Sequence, residues 1–372
     1  MVRRTKYKFD MKKVAVIGAG PSGITAIKNF KDQGFEVIAF ERCSGVGGNW
    51  RYNDPSGHSS VFETTHIISS KYTSYYEDFP LPENAADYPS HKELLEYFQA
   101  YTDHFDLDKN IKFNTEVVHC SQDNSHKWKV KWRELNDTQV LEEEFDALVV
   151  CNGHHHEPRY PNYPGKFSGE YLHSHEYKKA APFADKKVLV IGGGNSACDV
   201  AVETARISKT TALSWRRGYY LIPKFMFGLT SVIFALKARW IPRFLRLPFM
   251  KFMLELIQGK NEDIGLPKVT NHILATHPTV NSDLYNAVRH GKVKPKCDIE
   301  RFDGETVYFQ DGTHEEFDAV IACTGYKIKH NFFDKEFINF EEGPVNLLHR
   351  MSPADIKNLY FIGLFQPLGC IW

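Results

Sequence analysis

The sequence predicts an α/β protein with two Rossmann-like dinucleotide-binding domains, the second of which is inserted into the first. Residues 13–41 and residues 187–217 each contain an apolar strand, a glycine-rich turn, a helical segment and a second strand. Two further apolar strands, at 145–151 and 317–323, each run into a glycine turn. They mark the points at which we expect the chain to pass between the domains.

These patterns divide the chain into three consecutive parts. We expect residues 11–160 to form most of the first dinucleotide-binding domain and residues 321–372 to complete it. Residues 161–320 form the inserted domain in this prediction, and they carry an additional segment at 218–290. Prolines and a glycine between 158 and 165 predict a stiff linker at the first crossing.

The composition excludes several classes of protein. A length of 372 residues suits two or three domains, and 42% hydrophobic with 25% charged residues is ordinary for a globular protein. The formal net charge is zero, so no nucleic-acid partner is expected. Seven dispersed cysteines without a CxxC pair suit a reducing compartment, which predicts a cytoplasmic location.

The first glycine-rich turn, at 18–23, has the spacing of a pyrophosphate-binding fingerprint. Gly18 permits the tight turn, Gly20 lets the backbone approach a pyrophosphate, and Gly23 lets the helix pack closely on the strand. The N–H groups at the start of the following helix favour phosphate. Glu41 ends the second strand 18 residues after Gly23, where it can accept hydrogen bonds from a ribose and would repel a 2′-phosphate.

The second turn, at 192–197, repeats the fingerprint with one change. Its third glycine is replaced by Ala197, which the pattern permits. The second strand here ends in Arg216 and Arg217 rather than in an acidic residue. Because guanidinium groups bind phosphate in a bidentate manner, these arginines predict a preference for NADP over NAD.

Two other segments carry residue types that are typical of additional sites. His154, His155 and His156 are consecutive, so their side chains do not converge on one ion, and we expect no metal site. Between 218 and 254 the chain has six Lys and Arg residues among aromatic and aliphatic ones, and no acidic residue. Such a segment either lies at a membrane surface, with the contact through 218–257, or packs on its own domain or lines a substrate entrance.

A third motif lies between the two fingerprints. The pattern FxGxxxHxxxY is present as Phe167, Gly169, His173 and Tyr177. Together with a GGxW-like sequence at 47–50 and an ATGY-like junction at residues 322 to 326, it makes the chain resemble the flavin-containing monooxygenases, the group B flavoprotein oxygenases. The resemblance covers residues 11 to 372. His173 and Tyr177 could also be neighbours on a helix face, and this alternative stays open.

The resemblance implies FAD in the first domain and NADPH in the inserted domain. In the family, O₂ adds to the reduced flavin as a C4a-hydroperoxyflavin, which gives one oxygen atom to the nitrogen or sulfur of a small molecule, or to a ketone in Baeyer–Villiger enzymes. It implies FAD contacts at Gly18, Gly20, Pro21, Ser22, Gly23, Glu41, Gly48, Asn49, Trp50 and His66, and NADPH contacts at Gly192, Gly194, Asn195, Ser196, Ala197, Arg216 and Arg217.

The chain departs from the family pattern near the flavin. Ile68 stands where amine- and sulfide-oxidising members have an asparagine that helps to hold NADP⁺. We expect His66 or Ser69 to supply the missing polar group, and we take His66, Ile68 and Ser69 as the flavin-proximal catalytic candidates. Since isoleucine forms no hydrogen bond, two alternatives follow: an NADPH oxidase that releases hydrogen peroxide, and a Baeyer–Villiger activity.

A further departure lies at the end of the sequence. The strand around 360–363 would complete the first sheet, and the family resemblance implies that a helix follows it. The sequence ends instead at Trp372, after an apolar run from Leu368. We therefore expect a truncated chain, and a nucleotide-binding remnant without enzymatic activity remains as a third alternative.

Overall fold

Two five-stranded parallel sheets organise the chain in this computed structural model, which describes residues 12–270, 272–273, 279–340 and 345–364. The strands are, in chain order, β1 Lys13–Ile17, β2 Glu36–Phe40, β3 Ile111–Lys112, β4 Thr115–Gln122, β5 Trp128–Glu134, β6 Leu141–Phe145, β7 Ala147–Val150, β8 Glu157–Pro158, β9 Glu170–His173, β10 Lys187–Ile191, β11 Thr210–Ser214, β12 Leu221–Ile222, β13 Phe225–Met226, β14 Leu229–Thr230, β15 Thr279–Val280, β16 Val293–Lys296, β17 Ile299–Asp303, β18 Thr306–Phe309, β19 His314–Glu316, β20 Ala319–Ala322, β21 Tyr326–Lys327, β22 Leu347–Leu348, β23 Ser352–Pro353 and β24 Leu359–Phe361. The α-helices are α1 Pro21–Asp32, α2 His91–His104, α3 Asn195–Thr204, α4 Ser231–Lys237, α5 Arg243–Gln258 and α6 Leu284–Arg289.

The first sheet has the strand order β24-β7-β1-β2-β3. Helices α1 and α2 cover one face, and the antiparallel sheet β4-β5-β6 covers the other with Trp128, Trp132 and Phe145. Because both faces are covered, the central strands are almost entirely apolar. The last strand of the described chain, β24, pairs in parallel with β7, so the sequence after the inserted part returns to this sheet.

The second sheet has the order β16-β11-β10-β20-β9 and is built from strands between residues 170 and 322. Helices α3 and α6 pack on one face, and β17-β18-β19 supply Phe302, Val307 and Phe309 to the other. The sequence predicts helices from Ile24 and from Cys198, but the fingerprint helices begin three residues earlier, at Pro21 and at Asn195, because the third residue of each turn, Gly20 or Gly194, is already the helix N-cap. The bounds 11–160, 161–320 and 321–372 stay a prediction.

The chain crosses between the sheets in two segments that pair with each other. It leaves the first sheet after β7 and the second sheet after β20, and the two crossing segments meet as the antiparallel pair β8 and β21. Arg159 N donates to Gly325 O at 2.9 Å, and Thr324 Oγ1 donates to Arg159 O at 2.5 Å. Six residues connect β7 to β8 and three connect β20 to β21. Since six residues span at most about 20 Å, the carboxyl ends of both sheets lie close to this shared ribbon.

The segment at 218–290 forms a small subdomain on the second sheet. Its strand β12 pairs with β15, and its own apolar core contains Met226, Met250, Leu254 and Ile273. Within the described ranges, no helix has the length and apolar character that a bilayer-spanning helix needs. Val280 N in this subdomain donates to Asn195 Oδ1 at 2.7 Å, so the subdomain lies beside the second fingerprint.

Candidate active site

The first turn lies at the carboxyl end of β1, beside the end of β7. Gly18 has φ +97°, and a Cβ there would lie 2.7 Å from Cys151 O, so a side chain is excluded by both strain and space. Gly47 N donates to Ala19 O at 3.1 Å, which draws the GGxW-like loop against the turn. Gly20 and Gly48 then face each other, and a Cβ on Gly20 would lie 3.5 Å from Gly48 Cα. The start of α1 has no side-chain cap, so its first N–H groups are left for a ligand.

Glu41 is held directly beneath this turn. Its Oε2 accepts from Ala19 N at 2.6 Å and its Oε1 accepts from Cys43 N at 2.7 Å. Burial raises the pKa of the Glu41 carboxyl, and the two backbone donors oppose that shift. Each carboxylate oxygen keeps a second lone pair, so Glu41 can still accept from ribose hydroxyls.

The GGxW-like loop is braced by its own polar side chain. Asn49 Oδ1 accepts from both Ser60 N and Ser60 Oγ at 2.8 Å, and Asn49 O accepts from Ser59 Oγ at 2.7 Å. Trp50 packs against the apolar core of the first domain. Asn49 therefore supports the loop, while a direct contact from Asn49 or Trp50 to FAD stays a prediction.

One neighbour of the first turn was missed by the sequence analysis. Gly363 follows β24 with φ +92°, and a Cβ there would lie 2.6 Å from Ser22 Oγ. The returning strand thus brings its final glycine against the first turn of α1. Only the glycine after the last strand hinted at this contact, because Gly363 and Ser22 are far apart in the sequence.

The flavin-proximal candidates have different surroundings. His66 is exposed, and its Nδ1 donates to Tyr88 O at 2.8 Å; Ser69 Oγ is bonded to Ser74 Oγ at 2.6 Å. Ile68 is half-buried. Ser70, two residues after Ile68, is fully buried, and its hydroxyl has no hydrogen-bond partner among the described residues. The sequence analysis did not single out this residue. The catalytic roles of His66, Ile68 and Ser69 stay predictions.

The second turn repeats the geometry of the first at the end of β10. Gly192 has φ +134°, and a Cβ there would overlap Cys323 O, just as Gly18 lies against Cys151 in the first domain. Gly194 has no atom within 4 Å of its added Cβ, and Ser196 is exposed. The start of α3 is therefore open to a ligand.

The arginines at the end of β11 lie free for a phosphate. Arg216 and Arg217 are both exposed, and neither forms an ion pair with a described residue. Ala197 is fully buried beneath the turn, where its methyl group packs in the core of the inserted domain. The Ala197 side chain thus packs beneath the turn, on the side that faces the core and away from a bound ligand.

A buried indole lies against the middle glycine of the second turn. A Cβ on Gly193 would overlap the five-membered ring of Trp215, whose side chain is 1% exposed and stacks on Tyr219 at 5.9 Å. Trp215 Nε1 has no acceptor among the described residues. Gly193 is the residue that leaves room for this indole, and the sequence pattern alone did not distinguish it from any other variable position of the fingerprint.

The FxGxxxHxxxY segment joins the two domains. Lys178, directly after Tyr177, donates from Nζ to Ser59 O at 2.7 Å, and its own carbonyl accepts from Glu63 N at 2.8 Å. Tyr177 packs edge-to-face on Phe62 with ring centroids 5.5 Å apart. Residues 173–178 and 57–64 therefore form a set of interdomain contacts that we call the clasp.

The helix interpretation of His173 and Tyr177 is wrong. His173 ends β9, which pairs in parallel with β20, and the chain then turns before Tyr177. Burial lowers the pKa of His173 to about 4, so this imidazole is neutral at neutral pH. A nearby pair, His58 and His156, stacks with ring centroids 5.0 Å apart, and burial lowers the pKa of His58 to about 4.

The described residues contain no cluster of His, Cys, Asp and Glu that could hold a metal ion. The first turn instead presents an uncapped start of α1 with Glu41 beneath it. The second presents the open start of α3 with Arg216 and Arg217 beside it, and neither arginine pairs with a described carboxylate. These sets suit a dinucleotide without a 2′-phosphate in the first domain and one with a 2′-phosphate in the second.

The family model described as "Flavin-binding monooxygenase-like" matches residues 11–372. The chain belongs to this family. It is 34% identical to flavin-containing monooxygenase 5 of Mus musculus and 33% identical to dimethylaniline monooxygenase (N-oxide-forming) 2 of Oryctolagus cuniculus. In each case the alignment covers 97% of this chain and 70% of the relative.

The fold is also similar to that of a flavin-containing monooxygenase from Stenotrophomonas maltophilia, with a TM-score of 0.72 and 21% identity over 95% of this chain and 91% of that one. The protein is thus an oxidoreductase, a flavin monooxygenase with FAD and NADPH as cofactors, as the sequence analysis predicted. The geometry of the two turns fits both cofactors.

The contact between Gly193 and Trp215 predicts a size-dependent defect. Gly193→Ala should lower the free energy of unfolding by about 1–3 kcal/mol, because its methyl group overlaps a packed indole. Replacing the indole as well, in Gly193→Ala with Trp215→Leu, should cost less than the sum of the two single variants. Urea denaturation gives the free energy of unfolding of the unaltered protein, the two single variants and the double variant. Purely additive effects would contradict the proposed overlap.

Proposed function

We propose that this protein uses electrons from NADPH to activate O₂ on FAD and transfers one oxygen atom to the nitrogen or sulfur of a small molecule. The observation that carries this proposal is the placement of the two turns. Each turn lies at the carboxyl end of its sheet, beside the strand from which the chain crosses to the other domain. Both crossings meet in the ribbon β8-β21, which supports an arrangement with the two cofactor sites facing each other.

In this proposal the residues of the first domain bind and orient FAD. The N–H groups at the start of α1 hold its pyrophosphate, and Glu41 accepts from its adenosine ribose. Gly363 closes this site from the returning strand, next to Ser22. The bound flavin supplies the chemistry of oxygen activation, and the protein supplies its orientation and the exclusion of water.

The inserted domain binds NADPH in the same proposal. The start of α3 holds the pyrophosphate, and Arg216 with Arg217 binds the 2′-phosphate that distinguishes NADPH from NADH. The clasp then holds the inserted domain against the first one, so that the nicotinamide can reach the flavin. Nitrogen oxidation is supported by the relative whose name records N-oxide formation.

Ile68 favours a second outcome, in which part of the NADPH is consumed without product. An apolar side chain at this position offers no hydrogen bond to a bound cofactor, and the neighbouring Ser69 hydroxyl is already bonded to Ser74. We propose that this chain releases more hydrogen peroxide per NADPH than an enzyme with a polar residue at position 68.

The test is Ile68→Asn in the FAD-loaded protein. With a tertiary amine or a thioether as substrate, this variant should form less hydrogen peroxide and more oxygenated product per NADPH, because the amide can donate to the cofactors. The control Ile68→Val keeps the side chain apolar and should match the unaltered protein. Equal peroxide yields in all three proteins would show that position 68 does not control the release of hydrogen peroxide. Absence of any oxygenated product would overturn the monooxygenase proposal.

We further propose that residues 218–257 contact an anionic membrane surface. On α5 the buried side carries Met250 and Leu254, while Phe244, Phe252 and Leu256 are 74%, 60% and 66% exposed. These exposed side chains follow a spacing of eight and four residues, so they lie on one face of the helix. An exposed apolar face of this kind marks an interaction surface.

The charges beside this face select the partner. Arg243 and Arg246 form no ion pair with a described residue, and no acidic residue occurs between 218 and 254. Trp240, which is 82% exposed and lies three residues before α5, has the amphipathic ring that favours a membrane interface. Basic side chains flanking apolar ones complement anionic lipid headgroups over zwitterionic ones.

Vesicle co-sedimentation tests this contact. The FAD-loaded protein should sediment with vesicles that contain phosphatidylserine and less with pure phosphatidylcholine vesicles, and added salt should weaken binding. Phe244→Glu should abolish sedimentation, whereas Leu348→Glu, at another largely exposed apolar residue far from α5 in the sequence, should not. Loss of self-association in Phe244→Glu without any vesicle binding by the unaltered protein would instead assign the face to a second copy of the chain.

A further inference from the structure

One face of the second fingerprint helix carries a polar stripe. Asn195, Asp199 and Glu203 are spaced four residues apart on α3, so their side chains lie along the same side. The other side of α3 packs its alanine and valine side chains into the core of the inserted domain. A polar stripe on a helix that is otherwise buried needs partners, and each of the three side chains has one.

The three partners come from two separate regions. Asn195 Oδ1 accepts from Val280 N at 2.7 Å, and Asp199 Oδ1 accepts from Asn281 Nδ2 at 2.7 Å. Glu203 Oε2 accepts from Thr64 Oγ1 at 3.0 Å, and Thr64 belongs to the clasp. The stripe thus joins α3 to the segment 279–283, which we call the strap, and to the first domain.

The orientation of Asn281 is determined by its own acceptor bonds. Its side-chain oxygen accepts from Asp283 N at 2.9 Å and from Leu284 N at 2.7 Å, so the amide oxygen faces the start of α6. The amide nitrogen must then face Asp199. Asn281 is 3% exposed, and its N–H groups have no access to bulk water that could replace this acceptor.

The strap also touches the phosphate-binding turn itself. Thr279 Oγ1 donates to Gly193 O at 3.4 Å, and Thr279 is 3% exposed. With the bond from Val280 to Asn195, the strap contacts the turn at two points on either side of Gly194. Asp199 holds the next residue of the strap one helical turn further along α3. Burial raises the pKa of Asp199 to about 6, and nearby Lys224 opposes that shift.

We infer that the strap positions the start of α3 for the phosphates of NADPH, and that Asp199 and Asn281 are the positioning residues that hold it there. This inference rests on the proposal that the turn 192–197 binds NADPH. Without the Asp199 carboxylate, the Asn281 amide loses its acceptor inside the protein, and the strap is no longer held at its centre. The N–H groups of the turn are then less well ordered for a ligand.

The prediction concerns affinity rather than the rate of the chemical step. In the FAD-loaded protein, Asp199→Ala should weaken NADP⁺ binding about tenfold, the effect of losing one buried hydrogen bond. Asn281→Ala, which also loses the bonds from Asp283 N and Leu284 N, should weaken it at least as much. Isothermal titration calorimetry measures the dissociation constant directly. The KM for NADPH should rise in parallel while kcat stays unchanged, because neither residue touches the reacting atoms.

Two variants control for a general loss of structure. Asp199→Asn keeps an acceptor oxygen and should restore the affinity, and Asn286→Ala removes an exposed amide on α6 and should leave it unchanged. If Asp199→Asn binds as weakly as Asp199→Ala, the negative charge matters rather than the bond, and the inference is overturned. Unaltered affinity in both Asp199→Ala and Asn281→Ala overturns it as well.

A fifth variant separates this inference from the function on which it rests. Arg216→Ala should weaken NADP⁺ binding whether or not the strap matters, since the arginine would contact the 2′-phosphate. Unchanged binding in Arg216→Ala would remove the NADPH site from this turn. Weaker binding in Arg216→Ala with unchanged binding in the strap variants would leave the site in place and reject the strap.

Discussion

The ammonium group of Lys178 sets the relation between the two domains. It donates to Ser59 O at 2.7 Å and to Val61 O at 3.5 Å, and no described carboxylate pairs with it. Burial lowers the pKa of Lys178, so the two carbonyl groups compensate only part of the lost hydration. Because hydride transfer requires the two cofactors in contact, we propose that the transfer, though not the binding of either cofactor, depends on this interdomain bond.

The strongest sequence predictions concern features that a short stretch of chain determines alone. Strand periodicity and the glycine spacing of each turn are local, and both turns have the predicted shape, with Gly18 and Gly192 at positive φ. The exposed position of Arg216 follows in the same way from the end of a strand. Both fingerprint helices start three residues before the predicted positions, because an N-cap glycine, followed in α1 by Pro21, starts a helix before its apolar pattern becomes visible.

The contacts that the sequence did not predict join segments far apart in the chain. Gly363 meets Ser22, Asn281 meets Asp199, and Trp215 lies on Gly193, and none of these pairs has a signature in spacing or composition. The Ser70 hydroxyl, which has no hydrogen-bond partner in the described part of the chain, was missed because burial, rather than residue type, makes it notable. The 218–290 segment combines both kinds of feature. Its basic and apolar composition was visible in the sequence, whereas its strap over the second turn depends on the tertiary fold.

The most direct test of the clasp is the rate at which NADPH reduces the bound flavin without oxygen. Lys178→Met keeps the length of the side chain and removes its hydrogen bonds. Stopped-flow absorbance should show rapid flavin reduction in the unaltered protein and at least about tenfold slower reduction in Lys178→Met, the effect of about 1.4 kcal/mol, with FAD and NADP⁺ still bound. Equal reduction rates in the two proteins, with both cofactors bound, would contradict the central role of this bond.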